Sequence, residues 1–399
     1  MTTPRPTQKT FWLLVTHFPP NPSTAGLRAG SFARHAAENS WTGTILTVRQ
    51  AGDPEGDDGD PAGIRVMRTP APFSLHWRID SLLDGGIADM RAMLTGARQA
   101  QTAPDVVIAT GPPFNTFVAA QHLAKTHGVP LVLDYRDEWT LNPFDFVKRK
   151  PFDELLERRA LRAASRVLFT TAGMRDAALL RFADEIGEKA RILPNGWDPA
   201  DFSHDNMQGR PPRLATSRKR LLFLGTLSEM LDPRPFLGAL AHARRDDPEL
   251  ERRIVVRFTG RKTPEMEAAL DAFPYPEMIE RVGQVPRSGL EAQLTDSDAA
   301  ILFTDERVGR YRPTKLYDYL RAGLPIVVWG HGGESGAIVE DTGTGIVTTS
   351  IDAVEKLVAA PTQVREKPRA AFLSAHRRDV LAARFFSLLD EVVAEHRFR

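Results

Sequence analysis

Short, continuous apolar runs recur along the chain. Each is closed by turn-forming or polar residues and followed by a longer stretch with helical periodicity: FWLLVTHF from Phe11, DVVIAT from Asp105, PLVLD from Pro130 and RVLFTT from Arg166. A strand covered on both faces is apolar throughout, so these runs predict parallel strands packed between helices. The rhythm stops after about Asp205. Residues 204–220, HDNMQGRPPRLATSRKR, are polar, basic and rich in turn formers, as a connection between domains would be. It restarts with LLFLG from Leu221, IVVRFTG from Ile254, AAILF from Ala299 and PIVVWG from Pro325, separated by amphipathic stretches such as PEMEAALDAF. Two similar open α/β sheets in tandem are therefore expected. The last helical segment, AARFFSLLDEVVAEHRFR, carries an apolar stripe of Phe385, Leu388, Leu389, Val392 and Val393 suited to docking on a core.

Composition narrows the functional classes. A chain of 399 residues exceeds what one hydrophobic core usually organises, which supports two domains. A net charge of +1 supplies no global field for holding nucleic acid, and the absence of cysteine excludes disulfides, Cys-ligated zinc and thiol catalysis. The reducing cytoplasm is the expected compartment. The N-terminal run FWLLV is too short for a signal-peptide core or a membrane span. The acidic residues 51–63 lack the order and terminal Glu of a calcium loop and read as solvated. Residues 147–166 carry Lys148, Arg149, Lys150, Arg158, Arg159 and Arg162, cations that could meet anionic lipid. The interleaved Asp153, Glu154 and Glu157 favour an ordinary surface helix laced with i,i+4 pairs.

In open parallel sheets, ligands bind beyond the carboxyl ends of the strands. Those positions carry His17, Gly26 and Arg28, then Asp134, Arg136, Asp137 and Trp139, in the first half. The second half has Gly225-Thr226, Gly260-Arg261-Lys262 and Gly330-His331-Gly332-Gly333-Glu334. Glycines allow close backbone approach, and following helix N-termini suit an anion, so a phosphorylated ligand is expected. Simpler roles exist for several picks: His17 as a strand-end histidine, Asp137 as a helix cap, Arg261 and Lys262 as solvated cations. The chain lacks GxxxxGK[ST], HExxH and a GxGxxG after its first strand, and GGESGA does not meet the GxSxG spacing, which disfavours P-loop, zincin, dehydrogenase and serine-hydrolase chemistry.

The blocks HFPPNPSTAGLRAGSFARH, DVVIATGPPFNTFVAA, GVPLVLDYRDEW, ILPNGWDPADF, VGQVPRSGLEAQLTDSDAAILF and RPTKLYDYLRAGLPIVVWGHGGESGAIVEDTGTG together resemble family 4 glycosyltransferases of the GT-B fold, especially those of bacterial surface-polysaccharide pathways. The resemblance implies two facing Rossmann-like domains with a deep interdomain cleft: residues 1–205 plus about 375–399 on the acceptor side, and 206–374 on the donor side. It implies a last helix crossing back to the first domain. The implied reaction is hexosyl transfer from a nucleoside-diphosphate sugar to an acceptor hydroxyl, retaining, with no metal or other cofactor. Saccharide, lipid-linked or small-molecule acceptors fit it, as does a peripheral contact at the inner face of a membrane. By this similarity Lys315 meets the diphosphate, Asp318 accepts ribose hydroxyls in place of the usual Glu, and Gly332, Gly333 and Glu334 surround the sugar. Asp137, Arg136 and His17 orient the acceptor or sugar. Gly26, Arg28, Gly225, Thr226, Arg234, Arg261, Lys262 and Val285 complete the expected donor contacts. Two positions depart from the pattern: Arg310 stands where the first of two glutamates is usual, and Thr226 where an arginine is. The alternatives are a GT-B epimerase or hydrolase and a non-catalytic two-lobed nucleotide-sugar-binding or scaffold relative.

Overall fold

The computed structural model describes residues 8–19, 21, 24–49, 53, 60–72, 80–145, 147–202, 218–359 and 366–398. The chain divides into two compact units, Met1–Pro194 with Asp379–Arg399, and Asn195–Arg378. Most of the expected solvated loop 51–63 and most of the expected connection 204–220 lie outside the described residues.

The first unit is a seven-stranded sheet in the order β3-β2-β1-β4-β5-β6-β7. Its elements are β1 (Lys9–Leu14), α1 (Thr24–Arg34), β2 (Trp41–Val48), β3 (Ile64–Thr69), α2 (Ile87–Gln99), β4 (Val106–Gly111), α3 (Asn115–His127), β5 (Leu131–Tyr135), α4 (Asp153–Ala163), β6 (Arg166–Phe169), α5 (Ala172–Ile186) and β7 (Ala190–Ile192). All pairings are parallel, and the central strands β4 and β5 are buried along their whole length, as their unbroken apolar runs require.

The second unit spans β8 (Lys219–Leu224), α6 (Arg234–Asp246), α7 (Leu250–Arg253), β9 (Ile254–Thr259), α8 (Pro264–Asp271), β10 (Ile279–Val282), α9 (Leu290–Thr295), β11 (Ala299–Thr304), α10 (Lys315–Arg321), β12 (Ile326–Gly330), α11 (Gly333–Thr342), β13 (Gly345–Thr348), α12 (Ile351–Ala359) and α13 (Glu366–Ala375). Its six parallel strands run β10-β9-β8-β11-β12-β13, so both sheets reverse strand order beside their first strand.

The final helix α14 (Arg378–Arg397) returns to the first unit. Phe385 stacks on Phe32 at 4.1 Å, Phe386 lies 5.8 Å from Phe11, and Lys9 pairs with Asp390 at 2.6 Å. Truncating the fully buried Phe385 to Ala would cost about 3–5 kcal/mol, because the apolar contacts vanish and a cavity remains.

The unit boundaries fall at Pro194 and Arg378 rather than near 205 and 375. The reason lies in two aromatic residues: Trp197 and Phe202 sit in the core of the second unit with Leu316, Tyr317 and Leu373. The backbone of Trp197 also pairs with the departing chain, through Trp197 N to His376 O at 3.1 Å and Arg378 N to Trp197 O at 3.0 Å.

Candidate functional site

Within the second unit, the residues closing β8, β9, β10 and β12 converge with the first turn of α10. Gly225 follows β8 at φ 108° and Gly260 follows β9 at φ 126°, a region that L side chains avoid. A methyl on Gly260 would also lie 2.3 Å from the Gly225 carbonyl, so the two turns are in backbone contact. A methyl on Gly225 would lie 3.1 Å from Lys315 Nζ, which places the ammonium directly beneath the β8 exit.

Lys315 opens α10, whose Leu316, Tyr319 and Leu320 are fully buried against the sheet, as their expected core-facing role requires. The Lys315 ammonium is enclosed, lies 3.8 Å from the centroid of the Phe223 ring, and has no hydrogen-bond partner. Burial pushes its pKa down to about 7, opposed by the Asp318 carboxylate. An enclosed ammonium without an acceptor is costly, so its place beside two turns that only glycine adopts readily marks a site shaped for an anion.

Asp318, three residues on, is only 5% exposed and takes both Arg287 nitrogens, Nη2 at 3.0 Å and Nη1 at 3.2 Å. Burial raises its pKa and the guanidinium works against that. The same Arg287 reaches Asp201 at 2.6 Å, while Arg378 stands 3.5 Å from Asp198 and 4.0 Å from Asp201. Asp318 is therefore tied to the segments where the chain enters and leaves this unit. Its remaining lone pairs can still accept hydroxyls.

Other expected contacts divide by how occupied they are. Thr226 and Arg261 are exposed at the β8 and β9 exits. Lys262 donates to the Gly260 and Val282 carbonyls at 2.9 and 3.1 Å, so it fastens the sheet edge. Arg234 is exposed and paired with Asp232 at 2.7 Å. Val285 is half-buried two residues before Arg287. Gly333 has φ 54°, and a methyl there would meet the Gly309 carbonyl at 2.2 Å; Glu334 donates its N–H to that carbonyl at 2.7 Å and its carboxylate holds Arg312 at 2.8 Å. Gly332 packs beside Val347. Arg310 lies 5.7 Å from the Tyr311 ring centroid.

In the first unit, Arg28 donates to Asp134 at 2.8 and 2.9 Å and to the Leu193 and Pro194 carbonyls at 2.9 Å, with 8% of its surface exposed. It clamps the end of β5 to the chain beyond β7, which gives it a structural task in place of the expected donor contact. Gly26 packs against the carbonyls of Asn21 and His17, at 3.2 and 3.4 Å from where a methyl would stand. Arg136 bonds Thr110 Oγ1 at 3.0 Å and the Pro112 carbonyl. Its charge acts on both neighbours: it helps burial lower the pKa of His17, and it opposes the burial that raises Asp137. His17, Arg136 and Asp137 thus form one cluster at the carboxyl edge of this sheet.

Arg287 and Arg312 were not among the candidates from sequence. Arg287 follows β10 and sits within the quoted VGQVPRSGL block, so its strand-end position was the signal available. Among the described residues, no group of three or more His, Asp or Glu is placed to hold a metal ion, and no helix is long and apolar enough to cross a membrane.

Residues 23–196 match the family profile described as Glycosyl transferase 4-like domain. No curated protein matches the sequence. Among solved structures, sucrose-phosphate synthase from Thermosynechococcus elongatus aligns with a TM-score of 0.75 at 14% identity, covering 97% of this chain and 100% of that one. Anabaena HepE, solved with UDP and glucose, aligns at 0.61 and 14% identity over 96% and 99% of the two chains. The lipopolysaccharide outer core galactosyltransferase WaaB aligns at 0.60 and 13% over 97% and 99%. The chain shares its two-sheet α/β fold with these structures over almost its whole length. Its glycosyl transferase 4-like domain occupies residues 23–196.

Proposed function

We propose that the protein transfers a hexosyl group from a nucleoside-diphosphate sugar, held by the second unit, to a hydroxyl of a lipid-linked saccharide. One observation carries the donor side: the enclosed, unpartnered Lys315 ammonium beneath Gly225. A diphosphate oxygen would supply the acceptor it lacks. Asp318 would take the ribose hydroxyls, and Glu334, held by Arg312, would face the sugar. Departure of the nucleoside diphosphate would be stabilised by Lys315 and Arg261 in place of a metal. The acceptor oxygen would bond to the anomeric carbon on the face the phosphate leaves, and a phosphate oxygen would take its proton, retaining configuration. His17, Arg136 and Asp137 would orient the acceptor. The lipid-linked acceptor is suggested by the similarity to WaaB, a lipopolysaccharide outer core galactosyltransferase. The reaction sits at the cytoplasmic face of a membrane in this reading.

A product assay with a panel of nucleotide sugars, run with and without a saccharide acceptor, tests the proposal. Acceptor-dependent release of nucleoside diphosphate with an α-linked product from an α-linked donor supports it. Acceptor-independent hydrolysis or epimerisation, inversion, or dependence on added divalent metal would each overturn the corresponding part.

A further inference from the structure

The amino ends of β6 and β7, at the edge of the first sheet opposite to His17, Arg136 and Asp137, open onto a cavity of about 480 Å³. That volume suits one small molecule, since such sites run from roughly 300 to 1,000 Å³. Its lining includes Ala163, Ala164 and Ser165, which join α4 to β6, and Val392 of α14. Three successive residues with side chains no longer than a hydroxymethyl group leave the space open. Around it stand Arg162, Arg166, Lys189 and Arg191, against the carboxylates of Glu188 and Glu395. All of these residues belong to the first unit.

Two of these cations are explained by the helix ends beside them. Arg162 lies in the last turn of α4 and pairs with Glu185 at 2.9 Å; Lys189 donates to the Leu161, Arg162 and Glu185 carbonyls, at 3.4, 3.1 and 3.1 Å, where α4 and α5 end. Positive charge is favourable where helix carbonyls lack partners of their own. Arg166 and Arg191 sit on strands, and that account does not reach them. Arg191 is exposed, gives one terminal nitrogen to the Glu188 and Ala190 carbonyls, and has no carboxylate partner among the described residues. The Arg166 side chain is 12% exposed: its terminal nitrogens reach the Ser165 carbonyl at 2.9 Å and the Glu395 carboxylate, while its Nε–H is enclosed and meets no acceptor. The cavity is thus lined by two guanidinium groups with N–H groups to spare, in the planar fork that matches phosphate oxygens.

We propose that this cavity binds a sugar phosphate, at a site separate from the transfer chemistry. The phosphate lies against Arg166 and Arg191. The Glu188 carboxylate, which has no ion-pair partner among the described residues, accepts sugar hydroxyls. With Nε2 bonded to the Gly128 carbonyl at 2.9 Å, the neutral His396 ring keeps Nδ1 as a further acceptor. The mixture of charges selects a small ligand, because an extended polyanion would bring its phosphates against Glu188 and Glu395 as well as the arginines. Val392, Glu395 and His396 come from the last turns of α14, so the ligand also ties that returning helix to the β6–β7 edge. The inference is independent of the donor and acceptor assignments, which concern the carboxyl edges of the sheets.

Calorimetric titration of the full chain with inorganic phosphate, and with glucose, galactose and mannose monophosphates esterified at the anomeric or the primary hydroxyl, provides the test. At least one ester should bind with a Kd below about 1 mM, and more tightly than inorganic phosphate. Arg191→Ala should weaken that ester about tenfold, as loss of a charge-assisted hydrogen bond does, and Arg166→Gln by a similar factor. Glu188→Ala should weaken the ester about fivefold and inorganic phosphate not at all, a split that a merely basic surface would not produce. Circular dichroism melts serve as the folding control, and the exposed Arg191 and Glu188 keep the test open if Arg166→Gln does not fold. Lys315→Ala removes the proposed diphosphate contact and should bind the ester as the wild type does, so failure of that assignment and failure of this one are distinguishable. No binding of any ester, unchanged affinity in folded Arg191→Ala, inorganic phosphate bound as tightly as every ester, or loss of the ester in Lys315→Ala would overturn the inference.

Discussion

Arg28 in the first unit and Lys315 in the second occupy comparable places, each on a helix beside the carboxyl edge of a parallel sheet, and both looked from sequence like donor contacts. The structure separates them by what their nitrogens touch. Arg28 gives its N–H groups to Asp134 and two carbonyls. Lys315 is only partly buried as a residue, but its ammonium is enclosed and gives its protons to nothing. A saturated buried cation is part of the fold, whereas an unsatisfied one implies an anion that arrives later.

The sharpest contrast is in stability. Arg28→Met would leave the Asp134 carboxylate, 1% exposed, without its counter-ion and should cost about 3–5 kcal/mol in denaturant unfolding. Lys315→Met should leave stability unchanged or raise it. The native pKa of Lys315, about 7, lies below the unfolded lysine value, so the unfolded chain binds the extra proton between the two and wild-type stability rises with pH through that window. The gain from Lys315→Met is therefore largest below pH 7 and fades toward pH 10. A destabilised Lys315→Met variant would erase the distinction.

Ligand binding should reverse that sign. A diphosphate favours the ammonium, so binding takes up a proton once the free protein has lost it. Nucleoside-diphosphate affinity should fall by up to about tenfold per pH unit above 7. Calorimetry in buffers of different ionisation enthalpy would register the uptake, and a flat profile would show that Lys315 does not meet the phosphates.

A smaller effect sharpens the role of Asp318. Arg287→Gln removes the guanidinium that opposes its burial, so the carboxyl protonates more readily and accepts ribose hydroxyls less well. Nucleotide affinity should drop by about fivefold and recover as pH rises, a loss on the scale of one hydrogen bond. Arg287→Lys should restore part of it. A pH-independent loss would point to unfolding of the Asp198–Asp201 segment instead.

The two sheets and the docking of α14 were legible because they rest on periodicity, and Phe385, Leu389, Val392 and Val393 are buried where the stripe placed them. Direction was not legible for charged side chains. Glu157 looks like a surface acid in DELLERRALR, yet it is buried and takes its hydrogen bonds from Tyr135 and Thr140, far enough along the chain that only the fold brings them to it. The clamp made by Arg28 was hidden for the same reason, since its acceptors are 106 or more residues away. Trp197 hid in a polar context, and its core is built from residues near 316 and 373. Lys315 stood among the candidates from sequence, but only the structure shows that its ammonium is unpaired.

The account turns on that ammonium, and calorimetric titration of the wild-type chain and Lys315→Ala with uridine, guanosine, adenosine, cytidine and thymidine diphosphates tests it most directly. The wild type should bind at least one of them, and the folded variant should bind it about 10- to 150-fold more weakly, the worth of one charge-assisted hydrogen bond of ~1.5–3 kcal/mol. Equal affinity in the two proteins, or no binding to either, would contradict the assignment of this site to a diphosphate.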